Sequence, residues 1–139
     1  DLHSFPTRRS SDLRFSSKQA VDDLLNQGID VILEIDWQGA LQVKEKSPQA
    51  VMIFILPPSR DALRSRLSNR GQDSSDVIQT RLAGAVTEMK NYHHFDYVVI
   101  NDDFSTALSN LQTIIKAQRL TLTQQAARQN ALIESLLSD

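Results

Sequence analysis

Branched apolar residues cluster in three short runs that separate longer amphipathic stretches of the chain. Short runs of this kind are typical of strands in a parallel sheet. The runs are Val31–Asp36, which ends in an acid, Val51–Leu56 and Tyr97–Ile100. Because Val51–Leu56 is apolar at every position, it predicts a strand that is buried on both faces.

The stretches around these runs carry apolar residues at helical spacing. The clearest has Ile78, Leu82, Ala85 and Met89 on one face, and Ser75 precedes it as a candidate helix cap. Further helices are expected from Ser17 to Gly28, over Gln38–Lys46, from Ser59 onward, and from Phe104 to near the end with a weakness at Thr121–Thr123. Helices that alternate with short strands predict an α/β fold, with a parallel sheet flanked by helices.

Functional groups of parallel sheets gather at the carboxyl ends of the strands. Three polar segments follow the predicted strands, namely Glu34-Ile35-Asp36, Pro57-Pro58-Ser59-Arg60 and Asn101-Asp102-Asp103. A functional site is therefore expected first at these segments.

Composition narrows the class of protein without naming a function. The 139 residues suffice for one domain with a core, and 40% hydrophobic and 23% charged residues are ordinary for a globular protein. A net charge of −2 gives no electrostatic reason to expect nucleic acid or an anionic membrane as partner. The chain has no cysteine, which excludes disulfides and thiolate chemistry and is compatible with a reducing cytoplasm.

Residues 1–13 differ from the rest of the chain. Residues 3–13 read HSFPTRRSSDL, a polar segment with neither helical nor strand periodicity. One reading frame of a common sequencing adapter translates to the same amino-acid sequence. We therefore expect residues 1–13 to be non-native and residues 14–139 to hold the natural domain. The alternative is a natural disordered tail.

Glu34 and Asp36 form the first candidate site. In a strand, alternation would place both carboxylates on one face. Acids beside a buried strand are costly unless they meet cations or hydrogen-bond donors, and a complex of Mg²⁺ with phosphate would supply both. The residues alone leave open the alternative that the acid caps the helix at Gln38–Lys46 or pairs with an arginine.

Arginines form the second candidate site, and they are Arg60, Arg64, Arg66, Arg70 and Arg81. Arginine forks suit phosphate oxygens because they bond in pairs and keep their charge. A helical flap that carries them could close over a nucleotide and exclude water. The alternative is a solvated basic face.

The third candidate site is Asn101-Asp102-Asp103. Asn101 could form hydrogen bonds with the edge of a base, whereas Asp102 or Asp103 could simply cap a helix.

Four longer segments, in order and in register, resemble the guanylate kinase family. They are VILEIDWQGA (31–40), IFILPPS (53–59), RLSNRGQDSSDVIQTRL (66–82) and DYVVINDDFSTAL (96–108). The resemblance covers essentially all of residues 16–139, and the residues of these segments are similar to those of bacterial enzymes. It implies a P-loop nucleoside-monophosphate-kinase fold, with a parallel sheet core, a GMP-binding lobe and a mobile lid.

The resemblance also implies an activity and assigns residues to it. Guanylate kinases transfer the γ-phosphoryl group of ATP to GMP with Mg²⁺, so GMP and ATP are the expected partners. The lid arginines of the family match Arg66, Arg70 and Arg81, which would clamp the transferring phosphates, Arg70 also touching ATP. Homo-oligomerisation stays open.

Other family positions match less uniformly. Asp36 would lie near Mg²⁺ and the GMP side, and Glu34 stands where Asp is frequent. Asn101 matches a residue near the adenine of ATP. A GMP contact of the form Tyr-Gly-Ser falls on Arg14-Phe15-Ser16, where only Ser16 fits.

One motif that the activity needs does not occur in these residues. The phosphate-binding loop G-x-x-x-x-G-K-[ST] is absent from the 139 residues, as is most of the GMP lobe. We therefore expect an N-terminally truncated enzyme that is inactive alone. The alternatives are a non-catalytic guanylate-kinase-like module that binds proteins, or another small-molecule kinase of the same fold.

Overall fold

A computed structural model of the chain describes residues 17–68 and 74–139. It divides into two compact units, Asp1–Ala50 and Val51–Asp139. The described helices and strands are α1 (Ser17–Asn26), α2 (Trp37–Lys46), β1 (Ile53–Leu56), α3 (Arg60–Ser68), α4 (Ser75–Met89), a 3-10 turn (Tyr92–His94), β2 (Tyr97–Ile100), α5 (Phe104–Arg119), α6 (Leu122–Arg128) and α7 (Asn130–Leu137).

The second unit contains a parallel pair of strands, as the sequence predicts. β1 and β2 pair in parallel, with Ile53 opposite Tyr97 and Leu56 opposite Ile100. The connection between them contains α3 and α4, which pack against each other. A helical crossover between parallel strands is the arrangement that an α/β fold requires, so this part of the prediction is confirmed.

Hydrogen bonds at both ends of the strand pair hold its register. At the amino end, the Met52 amide donates to the Asp96 carboxylate at 2.9 Å. The Met52 carbonyl in turn accepts from the amides of Asp96 and Tyr97, at 2.9 and 3.1 Å. At the carboxyl end, the backbone amide of Asn101 donates to the Leu56 carbonyl at 2.8 Å. The two carboxyl ends are therefore held side by side.

Burial in the second unit is one-sided along β1, which corrects the prediction for Val51–Leu56. Phe54 is buried and meets the ring of Phe95 edge-on, with centroids 4.8 Å apart, but Ile55 is 51% exposed. Within the described residues, the sheet has two strands. The buried side chains of the described residues are Ala40, Met52, Phe54, Leu82, Val99 and Ala107.

Val31–Asp36 does not form the strand that the sequence predicts. The segment has no regular secondary structure, and Ile32 is 60% exposed. A strand needs a neighbour to accept and donate its backbone hydrogen bonds. The described residues of the first unit, 17–50, contain no other strand that could serve as this neighbour.

Most helix boundaries follow the sequence pattern. Gly28 ends α1 with φ of 78°, a conformation that suits glycine. Ser59 caps α3 by accepting from the Ala62 amide at 3.0 Å. The cap of α4 is Ser74 rather than Ser75, because its hydroxyl accepts from the Val77 amide. The predicted weakness at Thr121–Thr123 is confirmed, since Thr121 caps a new helix there.

No helix in the described ranges combines the length and the apolarity needed to cross a bilayer.

Candidate functional site

The carboxyl edge of the β1–β2 pair brings two of the three predicted polar segments together. Pro57 and Pro58 follow β1 directly, and Asn101 follows β2 directly. Because Leu56 pairs with Ile100 and accepts from the Asn101 amide, these segments lie next to each other. Edges of this kind are where α/β proteins bind ligands.

Asp103 acts as a helix cap, which is the alternative that the sequence left open for this segment. Its carboxylate accepts from the Thr106 amide and from the Thr106 hydroxyl, both at 2.9 Å. These two hydrogen bonds lower the pKa of Asp103 from its ordinary value of 3.8. Asn101 is half-buried, whereas Asp102 is exposed. The proposed contact of Asn101 with a base stays a prediction.

Arg66 and Arg81 lie on two helices that pack together. Arg66 is in the last turn of α3, and Arg81 is in α4. Both side chains are exposed, as phosphate-binding groups on a flap would be. Within residues 17–68 and 74–139, no hydrogen bond or ion pair engages the Arg66 guanidinium. The described part of the chain therefore supplies no acceptor to its five N–H donors.

A shallow cleft beside Arg81 adds a concave surface to α4. It encloses about 370 Å³ and is lined by Asp76, Val77, Thr80 and Arg81. Asp76 and Arg81 place opposite charges at this cleft, whose lining is otherwise mostly apolar.

Two of the predicted site residues, Ser16 and Arg70, lie outside the described residues. The predicted GMP contact of Ser16 and the predicted phosphate contacts of Arg70 stay predictions. Arg66 and Arg70 are four residues apart, a spacing that would put them on one face of a helix, and this stays a prediction because Arg70 is not described.

Asp36 caps α2, which is the second alternative left open by the sequence. Its Oδ1 accepts from the Gly39 amide at 2.8 Å, and its backbone is extended at that point. Glu34 is exposed two residues earlier, in the irregular segment. The expected placement of both carboxylates on one strand face is wrong, because no strand forms there.

The chemistry of these acids limits how a metal ion would be held. No cluster of three or more His, Cys, Asp or Glu side chains that could bind a metal occurs among the described residues. Asp36 uses Oδ1 for the helix cap, which leaves Oδ2 as its second acceptor. One carboxylate oxygen fits Mg²⁺, because this ion keeps several waters and binds through few carboxylates plus phosphate oxygens.

Two residues that support the site were not singled out from the sequence. A Cβ on Gly39 would come within 3.1 Å of Asp36 Oδ1, so glycine lets the carboxylate approach the helix start. Asp96 holds the amino ends of the strands together. The sequence does carry a hint of each, in the Asp-x-x-Gly spacing after an apolar run and in an acid directly before a predicted strand.

Comparison with known proteins gives one consistent result. The family model described as "Guanylate kinase" matches residues 7–118. The guanylate kinase of Salmonella typhimurium is 55% identical over 124 residues, which is 89% of this chain and 60% of that protein. The guanylate kinase of Escherichia coli K12 is 52% identical with the same coverage.

A solved structure agrees with the sequence relatives. The crystal structure of guanylate kinase from Anaplasma phagocytophilum is similar with a TM-score of 0.71 at 28% identity, covering 88% of this chain and 58% of that one. The chain spans about 60% of the length of the curated relatives that it matches. The family match covers most of the 139 residues, and the chain therefore belongs to the guanylate kinase family.

Proposed function

We propose that this chain is part of an enzyme that transfers the γ-phosphoryl group of ATP to GMP, giving ADP and GDP. The observation that carries the proposal is the 52–55% identity to proteins named guanylate kinase. The exposed arginines on packed helices and the polar carboxyl edge of the sheet support it.

Phosphate clamping is the role proposed for Arg66, Arg70 and Arg81. Phosphoryl transfer passes through a loose transition state whose negative charge spreads over the equatorial oxygens. Guanidinium forks can donate two parallel hydrogen bonds to such oxygens and stay charged at any physiological pH. Arg66 and Arg81 have the exposure that this role requires. The attacking GMP phosphate oxygen forms the new P–O bond as the bond to the ADP oxygen breaks.

Holding the metal and the acceptor is the role proposed for Asp36, with Glu34 and Ser16 on the GMP side. The cap bond to Gly39 fixes the Asp36 carboxylate, so its Oδ2 would keep one position during turnover. Mg²⁺ would be held there mainly by water and phosphate oxygens, and it would neutralise charge on the phosphates.

Reading the adenine of ATP is the role proposed for Asn101. Its amide can donate and accept at once, as the edge of an adenine demands. The Asn101 backbone is tied to Leu56 at 2.8 Å, which supports a fixed position for the side chain.

Residues beyond these 139 would have to supply the phosphate-binding loop, because no G-x-x-x-x-G-K-[ST] motif occurs in the sequence. Without that cradle, the reacting phosphates would be poorly positioned, and positioning supplies much of the rate. We therefore propose that the chain alone is inactive, that residues 1–13 are non-native, and that residues 14–139 hold a partial core and lid.

A hybrid protein tests the proposal. It joins the N-terminal part of the Salmonella typhimurium relative, up to the start of the 124-residue match, to residues 14–139 of this chain. The hybrid should form GDP from ATP and GMP with Mg²⁺, and the chain alone should not. A folded hybrid with no turnover would contradict the proposal. If it bound peptides but not nucleotides, the non-catalytic binding module would be favoured instead.

A further inference from the structure

Phe104 is exposed at the carboxyl edge of the sheet, beside the segment proposed to read the adenine. It is the first residue of α5 and is 74% exposed, the largest value among the Phe, Tyr and Trp side chains in the described part of the chain. No other ring contacts it within the described residues. Its position is fixed by the Asp103 cap immediately before it.

Position distinguishes Phe104 from other exposed apolar residues, which are common on protein surfaces. Leu120, at the far end of the same helix, is 69% exposed but lies away from the carboxyl edge. Phe104 lies three residues after Asn101, whose backbone is held to the end of β1. An aromatic face and an amide therefore lie at one sheet edge, where nucleotides bind in α/β folds.

Charge at this edge selects which end of a nucleotide would bind. Asp102 and Asp103 are acids between Asn101 and Phe104, and the lowered pKa of Asp103 keeps it ionised. Two carboxylates repel a polyphosphate but not a neutral base. The arginines of α3 and Arg81 of α4 suit the phosphates, so the aromatic edge suits the base.

We propose that the Phe104 ring stacks on the adenine of the phosphate donor while the side-chain amide of Asn101 forms hydrogen bonds with the edge of the same base. This inference rests on the proposed function. Every base offers a π-face to an aromatic side chain, and removing such a ring weakens binding about 5- to 100-fold. Phe104 therefore adds affinity for the base, and Asn101 selects among bases.

Two ligands separate base binding from phosphate binding, namely ATP and inorganic tripolyphosphate. Both are titrated by NMR into the 139-residue chain and into the hybrid described above, as wild type, Phe104→Ala, Phe104→Trp and Leu120→Ala. We expect Phe104→Ala to weaken ATP binding about 5- to 100-fold and to leave tripolyphosphate binding unchanged. Phe104→Trp should retain ATP binding, and the matched control Leu120→Ala should behave as wild type.

The outcomes separate this inference from the proposed function. If Phe104→Ala binds ATP as wild type does, or loses both ligands equally, the stacking role is wrong and the proposed function stands. If neither ligand binds the wild-type chain or the hybrid, the proposed function itself fails and the stacking role fails with it. Where only the hybrid binds, the variants are compared in the hybrid.

Discussion

Removing the Asp96 carboxylate should destabilise the strand pair that aligns the site. Asp96 accepts from the Met52 amide at 2.9 Å, and Met52 is 6% exposed. In Asp96→Ala this amide keeps its buried position but loses its acceptor, which costs about 1–3 kcal/mol. With a urea dependence of about 2 kcal/mol per M for a small protein, the unfolding midpoint should fall by about 1 M.

Urea unfolding followed by circular dichroism measures this effect. Asp96→Asn keeps an oxygen in reach of the Met52 amide and should cost under about 1 kcal/mol. Asp102→Ala removes the same charge from an exposed acid beyond the other end of β2, and it should shift the midpoint little. If Asp96→Ala unfolds at the wild-type midpoint, or if Asp102→Ala lowers the midpoint as much, then the Asp96–Met52 hydrogen bond does not hold the strand pair in register.

Two further substitutions test the helix caps. Gly39→Ala places a Cβ within 3.1 Å of Asp36 Oδ1, so crowding at the cap should offset the gain of up to about 1 kcal/mol in helix propensity. The NMR shift of the residue-39 amide should also move. An unmoved shift together with the full stabilisation would contradict this expectation. For Asp103, the lowered pKa means a contribution to stability that is present above pH 3.8 and lost as the pH falls below it. Asp103→Asn should therefore flatten the decline of stability between about pH 4 and pH 2 in acid titrations, and an unchanged profile would show that the Thr106 bonds do not lower this pKa.

Local patterns were sufficient to predict most of the helices and the strand Tyr97–Ile100. Tyr97–Ile100 forms a strand with the predicted bounds, and Gly28 ends α1 through its positive φ. Such features depend on residues close in sequence, so a pattern read along the chain contains them. The break near Thr121 is of the same kind, since the hydroxyl of that residue caps the following helix.

Partner-dependent features could not be predicted in this way. Val31–Asp36 has the composition of a strand, but a strand exists only when another segment completes its hydrogen bonds. Ile55 looks like a core residue and is exposed, because its burial depends on what packs on the sheet. For Asp36, the sequence left open a ligand or a cap, and only the Gly39 distance identifies the cap bond.

The arginine clamp is the central claim, and the rate of GDP formation by the hybrid tests it most directly. Arg81→Ala and Arg66→Ala should each lower kcat about 10²–10³-fold with smaller changes in KM, as expected when a charge that stabilises the transition state is removed. Arg128→Ala removes an exposed arginine of α6 that lies outside the candidate arginines, and it should leave kcat within about twofold of the unsubstituted hybrid. Unchanged kcat in Arg81→Ala and Arg66→Ala, with the hybrid active, would contradict the account.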